Sequence, residues 1–275
     1  VEQNSLIDQN TGQGLLTAGQ LENYRQDGYL VLPDPIFPQS EFDALKQHFE
    51  EMLAQLPPGA RPEAMGLPHL ADTKLFRWLL SDAVLDLVEP IIGPDIALFA
   101  SHFICKPRGD GKRVPWHEDS FYWREMIEPV EVVTVWLAID PSTAENGAMQ
   151  VIPRALHGYS EYQDVDPTTH VFPIEIKPAM RDESKAVTIE LQPNHASLHD
   201  AKLMHGSAAN TSIKRRCGYT MRYVPTHVKF HPKFKGGFHF YLARGQDRAG
   251  NVYGDPTKSY DELMRSGLNR GRQGH

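Results

Sequence analysis

From Ile96 onward this chain cannot stay helical for long, because turn-forming residues keep interrupting it. Short apolar segments at 96–106, 131–139, 148–152, 186–191, 196–204 and 216–224 have Pro107-Arg108-Gly109-Asp110-Gly111, Glu145-Asn146-Gly147 and Gln192-Pro193-Asn194 between them. Many short strands with Gly and Pro turns predict a sandwich or a barrel. The residues before Ile96 have helical spacing instead. Thr17, with Gln20 three positions on, forms a capping box; Leu21 and Tyr24 give that helix an apolar side, and Gly28 ends it. Tyr29-Leu30-Val31-Leu32 is a strand stopped by Pro33. Phe42, Leu45, Phe49 and Leu53 predict a helix over about 40–56, ended by Pro57-Pro58-Gly59. Val84, Leu85 and Val88 predict a short helix over about 81–89, stopped by Pro90. No linker divides the helical part from the strands. The expectation is a mostly polar lead over 1–16, then one domain over 17–275. It would be mainly β with flanking helices: an N-terminal helical layer packed on a β core at about 96–245.

The balance of charges narrows the partners. With 28 Lys and Arg against 35 Asp and Glu, the net charge is −7. An acidic surface argues against a phosphate-backbone binder, so no nucleic-acid partner is expected. No segment reaches the ~18 apolar residues of a membrane span, and the N-terminal lead lacks a signal-peptide core. The two cysteines, Cys105 and Cys217, lack zinc-ligand spacing and are expected to be buried free thiols in a cytoplasmic protein.

The chemistry centres on Trp116-His117-Glu118-Asp119. On an extended segment, positions two apart point to the same side, so His117 and Asp119 can meet one metal. Chance His-x-Asp pairs are common, and a third ligand must come from elsewhere. His205, in Leu203-Met204-His205-Gly206-Ser207, ends an apolar strand and is the strongest candidate. Two histidines and a carboxylate form the facial triad of non-haem Fe(II) oxygenases. Arg216 follows eleven residues later on the next strand, and a strand–turn–strand would set it beside His205. Its planar fork matches a carboxylate, so a two-carboxylate cosubstrate could reach from the metal to Arg216. Alternation puts Arg216, Gly218, Thr220 and Arg222 on one strand face, with Cys217, Tyr219 and Met221 on the other.

These blocks together resemble the phytanoyl-CoA dioxygenase family, which includes the ectoine hydroxylases. The matching residues are His117-Glu118-Asp119, His205-Gly206-Ser207 with Asn210, and Arg216. Asn146 through Pro153 with His157-Gly158 resembles the family's stretch ending in Pro-Gly-Ser-His, except that Arg154 replaces the usual Gly. The likeness spans roughly residues 17–245 and implies a double-stranded β-helix, a cupin-like jelly roll. It implies Fe(II), 2-oxoglutarate and O2, with Ser207 and Arg216 on the distal carboxylate of 2-oxoglutarate. It places Trp136 beside the cosubstrate and His102 near another cosubstrate contact. Halogenases of the superfamily carry a small residue where Asp119 stands, so hydroxylation is the expected outcome.

Phe121, Tyr122 and Trp123 follow the metal motif directly and are the candidate substrate-lining residues; packing to stabilise the loop is their bland alternative. Arg222 lies roughly 20 Å along the strand from Arg216 at strand rise and is expected away from the iron. His195 and His199 are given core or surface roles, with His199-Asp200 supporting the metal ligands as the alternative, and His227, His231 and His239 loop or surface roles. The expected enzyme hydroxylates a C–H bond of a small organic molecule, releasing succinate and CO2, as a monomer or homodimer. Desaturation or ring formation in natural-product biosynthesis is the near alternative. A cupin-like lyase or isomerase without 2-oxoglutarate, or a binding protein that kept the fold, is the distant one.

Overall fold

The computed structural model describes residues 16–58, 60–109, 112–156, 160–231 and 240–266. The N-terminal part contains α1 (Ala18–Asp27), β1 (Tyr29–Val31), α2 (Gln39–Ala54), α3 (Pro68–Ala71), α4 (Phe76–Leu79) and α5 (Asp82–Ile92). Then come β2 (Ile96–Lys106), β3 (Val114–His117), α6 (Asp119–Trp123), β4 (Ile127–Glu128), β5 (Val133–Ala138) and β6 (Met149–Leu156). β7 (Tyr162–Asp164), β8 (Ile174–Ile176), β9 (Val187–Thr188), β10 (Ala196–Asp200), β11 (Leu203–Ser207) and β12 (Arg216–Pro225) follow. β13 (Lys229–Phe230), β14 (Tyr241–Arg244) and α7 (Tyr260–Ser266) close the described chain.

Local chemistry explains the helical part. Thr17 Oγ1 accepts from the Gln20 N–H at 3.2 Å, and Gln20 Oε1 accepts from the Thr17 N–H at 2.8 Å, so the capping box is complete. Gly28 ends α1 at φ 80, which only glycine adopts without cost. Pro90 does not stop α5, which runs on to Ile92. The proline sits in the last turn, where one missing donor is tolerable, and the Gly93 N–H closes the helix on Glu89 O at 2.8 Å. The Pro- and Gly-bearing stretch that follows α2 contains the short α3.

Two sheets form the core. The larger runs β1-β10-β5-β12-β2-β14 and the smaller β3-β11-β6-β9. Together they make the expected cupin-like jelly roll. Residues 196–204, expected as one strand, instead turn at Ala201-Lys202, so β10 lies in the large sheet and β11 in the small one. β11 and β12 are likewise in different sheets, not side-by-side neighbours. His205 and Arg216 therefore approach across the interior.

The large sheet has one face under the helices and one toward the small sheet. Tyr24, Phe42, Leu45, Phe49, Val84 and Val88 pack with Phe103, Cys105, Cys217, Tyr219, Met221 and Tyr223. The β12 alternation is thus as expected: its odd residues face the helices, and Arg216, Thr220 and Arg222 line the interior cavity. Cys105 and Cys217 sit opposite each other in register as buried free thiols. Arg154, at the expected glycine, adopts φ 66, a left-handed conformation that explains why glycine suits this turn. Its Nε donates to Asp27 Oδ1 at 2.9 Å. His157 and Gly158 lie outside the described residues.

Phe49 ties α2 to the sheet. It is fully buried, 4.7 Å from the Phe103 ring, which stacks on Tyr219 at 4.2 Å. Phe49→Ala is expected to cost about 3–5 kcal/mol of unfolding free energy, from lost burial plus an unfilled cavity, measured by urea denaturation.

Candidate metal centre

His117 and His205 are directly opposite each other on the antiparallel pair β3 and β11, with ring centroids 4.1 Å apart. Each ring is fixed by its own backbone. His117 Nδ1 bonds Pro115 O at 2.8 Å, and His205 Nδ1 bonds Leu203 O at 2.9 Å. A carbonyl can only accept, so Nδ1 carries a proton in both rings and Nε2 is the nitrogen left to face a ligand. That is how a histidine is prepared for a metal.

Asp119 completes the group. Glu118 is extended at φ −116, ψ 129, and Asp119 opens α6. The intervening Glu118 points the other way, where its Oε1 accepts from the buried Ser160 hydroxyl at 2.8 Å. Asp119 Oδ1 lies 3.7 Å from His117 Nε2. Among the described residues, ligand atoms of His117, Asp119 and His205 all lie within 4.8 Å of one another, and all three side chains are buried. Asp119 Oδ2 has no hydrogen-bond partner. The other oxygen, Oδ1, stands beside two imidazoles whose Nδ1 atoms are already bonded; this group fits a divalent cation and leaves positions for other ligands.

The electrostatics agree. Burial pushes the Asp119 carboxyl up, but Arg222 and His117 outweigh it and hold it well below the usual carboxylate range. Burial, reinforced by His117, holds His205 well below its ordinary value. Asp119 is therefore a carboxylate and His205 a neutral imidazole, the protonation states that metal binding needs.

A second cluster stands at the other end of the cavity. Arg216 donates through Nε and Nη2 to Gly147 O at 3.1 and 2.8 Å, and Nη2 is 3.4 Å from Ser207 Oγ. Gly147 is at φ 80, and a Cβ there would meet Ala208 O at 2.6 Å, so the acceptor sits on a turn only glycine can make. The guanidinium lies 5.3 Å from the Trp136 ring. Gly218 makes room for that ring, because a Cβ would come within 2.2 Å of it. Asn210 Nδ2 donates to Pro107 O at 2.9 Å and Lys214 O at 2.7 Å, bracing the loop that leads into β12.

Between the clusters lies a cavity of about 350 Å³. Tyr122 and Trp123 line it, as expected; Phe121 does not. Residues 119–123 form a helical turn, so Tyr122 and Trp123, three and four after Asp119, share its side. Phe121 turns away and packs on Tyr162 at 4.0 Å and Arg124 at 4.4 Å. Val171 and Phe172, which the sequence did not single out, complete the apolar wall, with Phe172 5.2 Å from His117.

One further expectation is corrected. Arg222 is not remote from the triad: its Nε is 3.7 Å from Asp119 Oδ2. The strand does separate it from Arg216, but the triad lies at the Arg222 end. His102 lines the cavity, yet its Nδ1 accepts from Arg222 Nη1 at 2.7 Å, so its partner belongs to the triad end. His199 takes a core position: it is buried, lines the cavity and lies 5.0 Å from the His205 ring. Burial pushes its pKa down to about 4. The exposed His227 and the half-buried His231 pair with Glu131 and Glu128, as loop histidines do. His239 lies outside the described residues.

Comparison with known proteins decides the lineage. The family model for phytanoyl-CoA dioxygenase matches residues 24–218. The chain belongs to the phytanoyl-CoA dioxygenase family. It is an oxidoreductase of the non-haem iron, 2-oxoglutarate-dependent dioxygenases, and its cosubstrates are 2-oxoglutarate and O2. An L-proline trans-4-hydroxylase from Streptomyces griseoviridis is 23% identical over 234 residues, covering 76% of this chain and 87% of the relative. An ectoine dioxygenase from Bordetella parapertussis is 22% identical over 233 residues, covering 76% and 75%. Among solved structures, the apo form of the non-heme monooxygenase ThoJ superposes with a TM-score of 0.71 at 22% identity, covering 91% of this chain and 98% of that one. That likeness shows the fold. For this member of the family, Gly218→Ala is expected to lose about 1–3 kcal/mol by overpacking. It should also weaken 2-oxoglutarate binding, because Trp136 must shift against Arg216; denaturation and a 2-oxoglutarate titration read the two effects.

Proposed function

We propose that His117, Asp119 and His205 hold the catalytic iron, and that Arg216 with Ser207 binds the distal carboxylate of 2-oxoglutarate. The observation that carries this is the pair of imidazoles fixed through Nδ1, with their Nε2 atoms beside a buried carboxylate. Iron with 2-oxoglutarate and O2 supplies an oxidant for C–H bonds and releases succinate and CO2. The protein's own contribution is geometry and dryness. Arg216 offers a fixed cation, stiffened by Gly147 O, to an anion lying between it and the triad. Trp136 walls that channel. Tyr122, Trp123 and Phe172 exclude water on the substrate side.

The substrate is a small organic molecule, and the outcome is hydroxylation. Asp119 keeps a carboxylate where a halogenase would have a small residue. A cavity of about 350 Å³ is at the small end for ligand sites and suits a compact molecule rather than an acyl-CoA. Two relatives are named for L-proline and for ectoine, which supports that size class. The buried free thiols Cys105 and Cys217 favour a reducing compartment, and we assign the cytoplasm. No helix among the described residues is long and apolar enough to cross a membrane. Residues 17–275 act as one domain, as a monomer or homodimer.

Iron- and 2-oxoglutarate-dependent succinate formation tests the assignment. His117→Ala and Asp119→Ala should each lower it by more than about 100-fold, beyond the usual loss of an outer partner. Unchanged turnover would sink it. Arg216→Gln should raise KM for 2-oxoglutarate by at least about 30-fold, the scale of an unpaired buried charge, with metal binding retained.

A further inference from the structure

Arg222 is a buried cation whose role the proposed iron site does not yet explain. It sits on β12, on the same face as Arg216, and its guanidinium is held on several sides. Nη1 donates to His102 Nδ1 at 2.7 Å and to Thr220 Oγ1 at 2.9 Å. Thr220 Oγ1 in turn donates to His102 O at 3.1 Å. The guanidinium carbon lies 5.3 Å from the Trp123 ring centroid. Burial, and after it the charge of Arg222, bring the His102 pKa down to about 3, so this imidazole is a neutral acceptor.

Held this way, Arg222 turns Nε toward one particular oxygen. Asp119 Oδ1 lies on the His117 side, 3.7 Å from Nε2. Asp119 Oδ2 lies on the opposite side, 3.7 Å from Arg222 Nε. That distance is an ion pair, too long for a hydrogen bond, and neither Oδ2 nor Nε has another hydrogen-bond partner. We propose that Arg222 is a positioning residue that holds the outer oxygen of Asp119, so that Asp119 presents a single oxygen to the metal. This rests on the metal site proposed above. An octahedral ion held by two imidazoles and both oxygens of a carboxylate would keep too few positions for 2-oxoglutarate and O2 together. Attracting Oδ2 away from the ion keeps those positions open. The Arg222 charge also lowers the donor strength of the carboxylate. Its removal should therefore act in opposite directions on metal and cosubstrate.

The test uses the full chain under anaerobic conditions. Fe(II) affinity is measured first by calorimetry, and 2-oxoglutarate affinity is then measured on the Fe(II)-loaded protein. For Arg222→Gln, Fe(II) binding should be unchanged or tighter, while 2-oxoglutarate binding weakens by about 10-fold or more, the scale that outer partners of metal ligands command. Arg222→Lys should recover part of the cosubstrate affinity, because it restores the charge without the fork. His102→Phe should shift both affinities in the same directions as Arg222→Gln, by less. If Arg222→Gln does not fold, the Lys and His102 variants carry the same comparison. A parallel fall of metal and cosubstrate affinity, or no change in either, overturns the proposal. A wild-type protein that binds no Fe(II) overturns the metal site itself, and that outcome is visible before any variant is made.

Discussion

A charged carboxylate buried between two sheets is the constraint on which the site depends. Asp119 is removed from water, and an uncompensated charge in that position would cost several kcal/mol. Its surroundings come from both sheets, and the compensating cation from one. His117 and His205 stand on the small sheet, and Arg222 reaches across from the large one. The site can therefore exist only where the two sheets face each other. The packing of the helices on the outer face of the large sheet is what holds β12 in that position.

The same strand serves both ends of the cavity. β12 carries Arg216 toward Ser207 and Gly147, and Arg222 toward Asp119. Strand rise sets the distance between the two cations. β12 thus acts as a rigid spacer between the Arg216 cluster and the triad. Its alternate residues pack under the helices, so the spacing is fixed by the core. Gly218 between the two arginines is the one position on that face with no side chain, and the Trp136 ring fills the room it leaves.

Much of this was legible in the chain. Thr17 and Gln20 specified the first helix start because capping is local. Alternation along 216–224 assigned faces correctly because a strand has a period of two. His117 and Asp119 paired because an extended residue between them throws its side chain the other way. Where local rules failed, the cause was a change of element. Asp119 begins a helical turn, so Phe121 left the cavity while Tyr122 stayed. Pro90 entered α5 because a last turn tolerates a missing donor. A turn at Ala201-Lys202 split one expected strand between two sheets. His199, on β10 of the large sheet, then meets His205, on β11 of the small one, across the interior.

The sequence by itself determined which residues could form the site: a His-x-Asp pair, a distant histidine, a serine and an arginine, each with chemistry that few other side chains supply. It also determined their local presentation, since strand alternation and backbone-anchored imidazoles depend only on near neighbours. The tertiary structure decided which cations belong to which end. Arg222 and His102 join the triad, and Arg216 stands apart, because the facing of two sheets is set by packing between segments far apart in the chain. No spacing along the sequence encodes that distance.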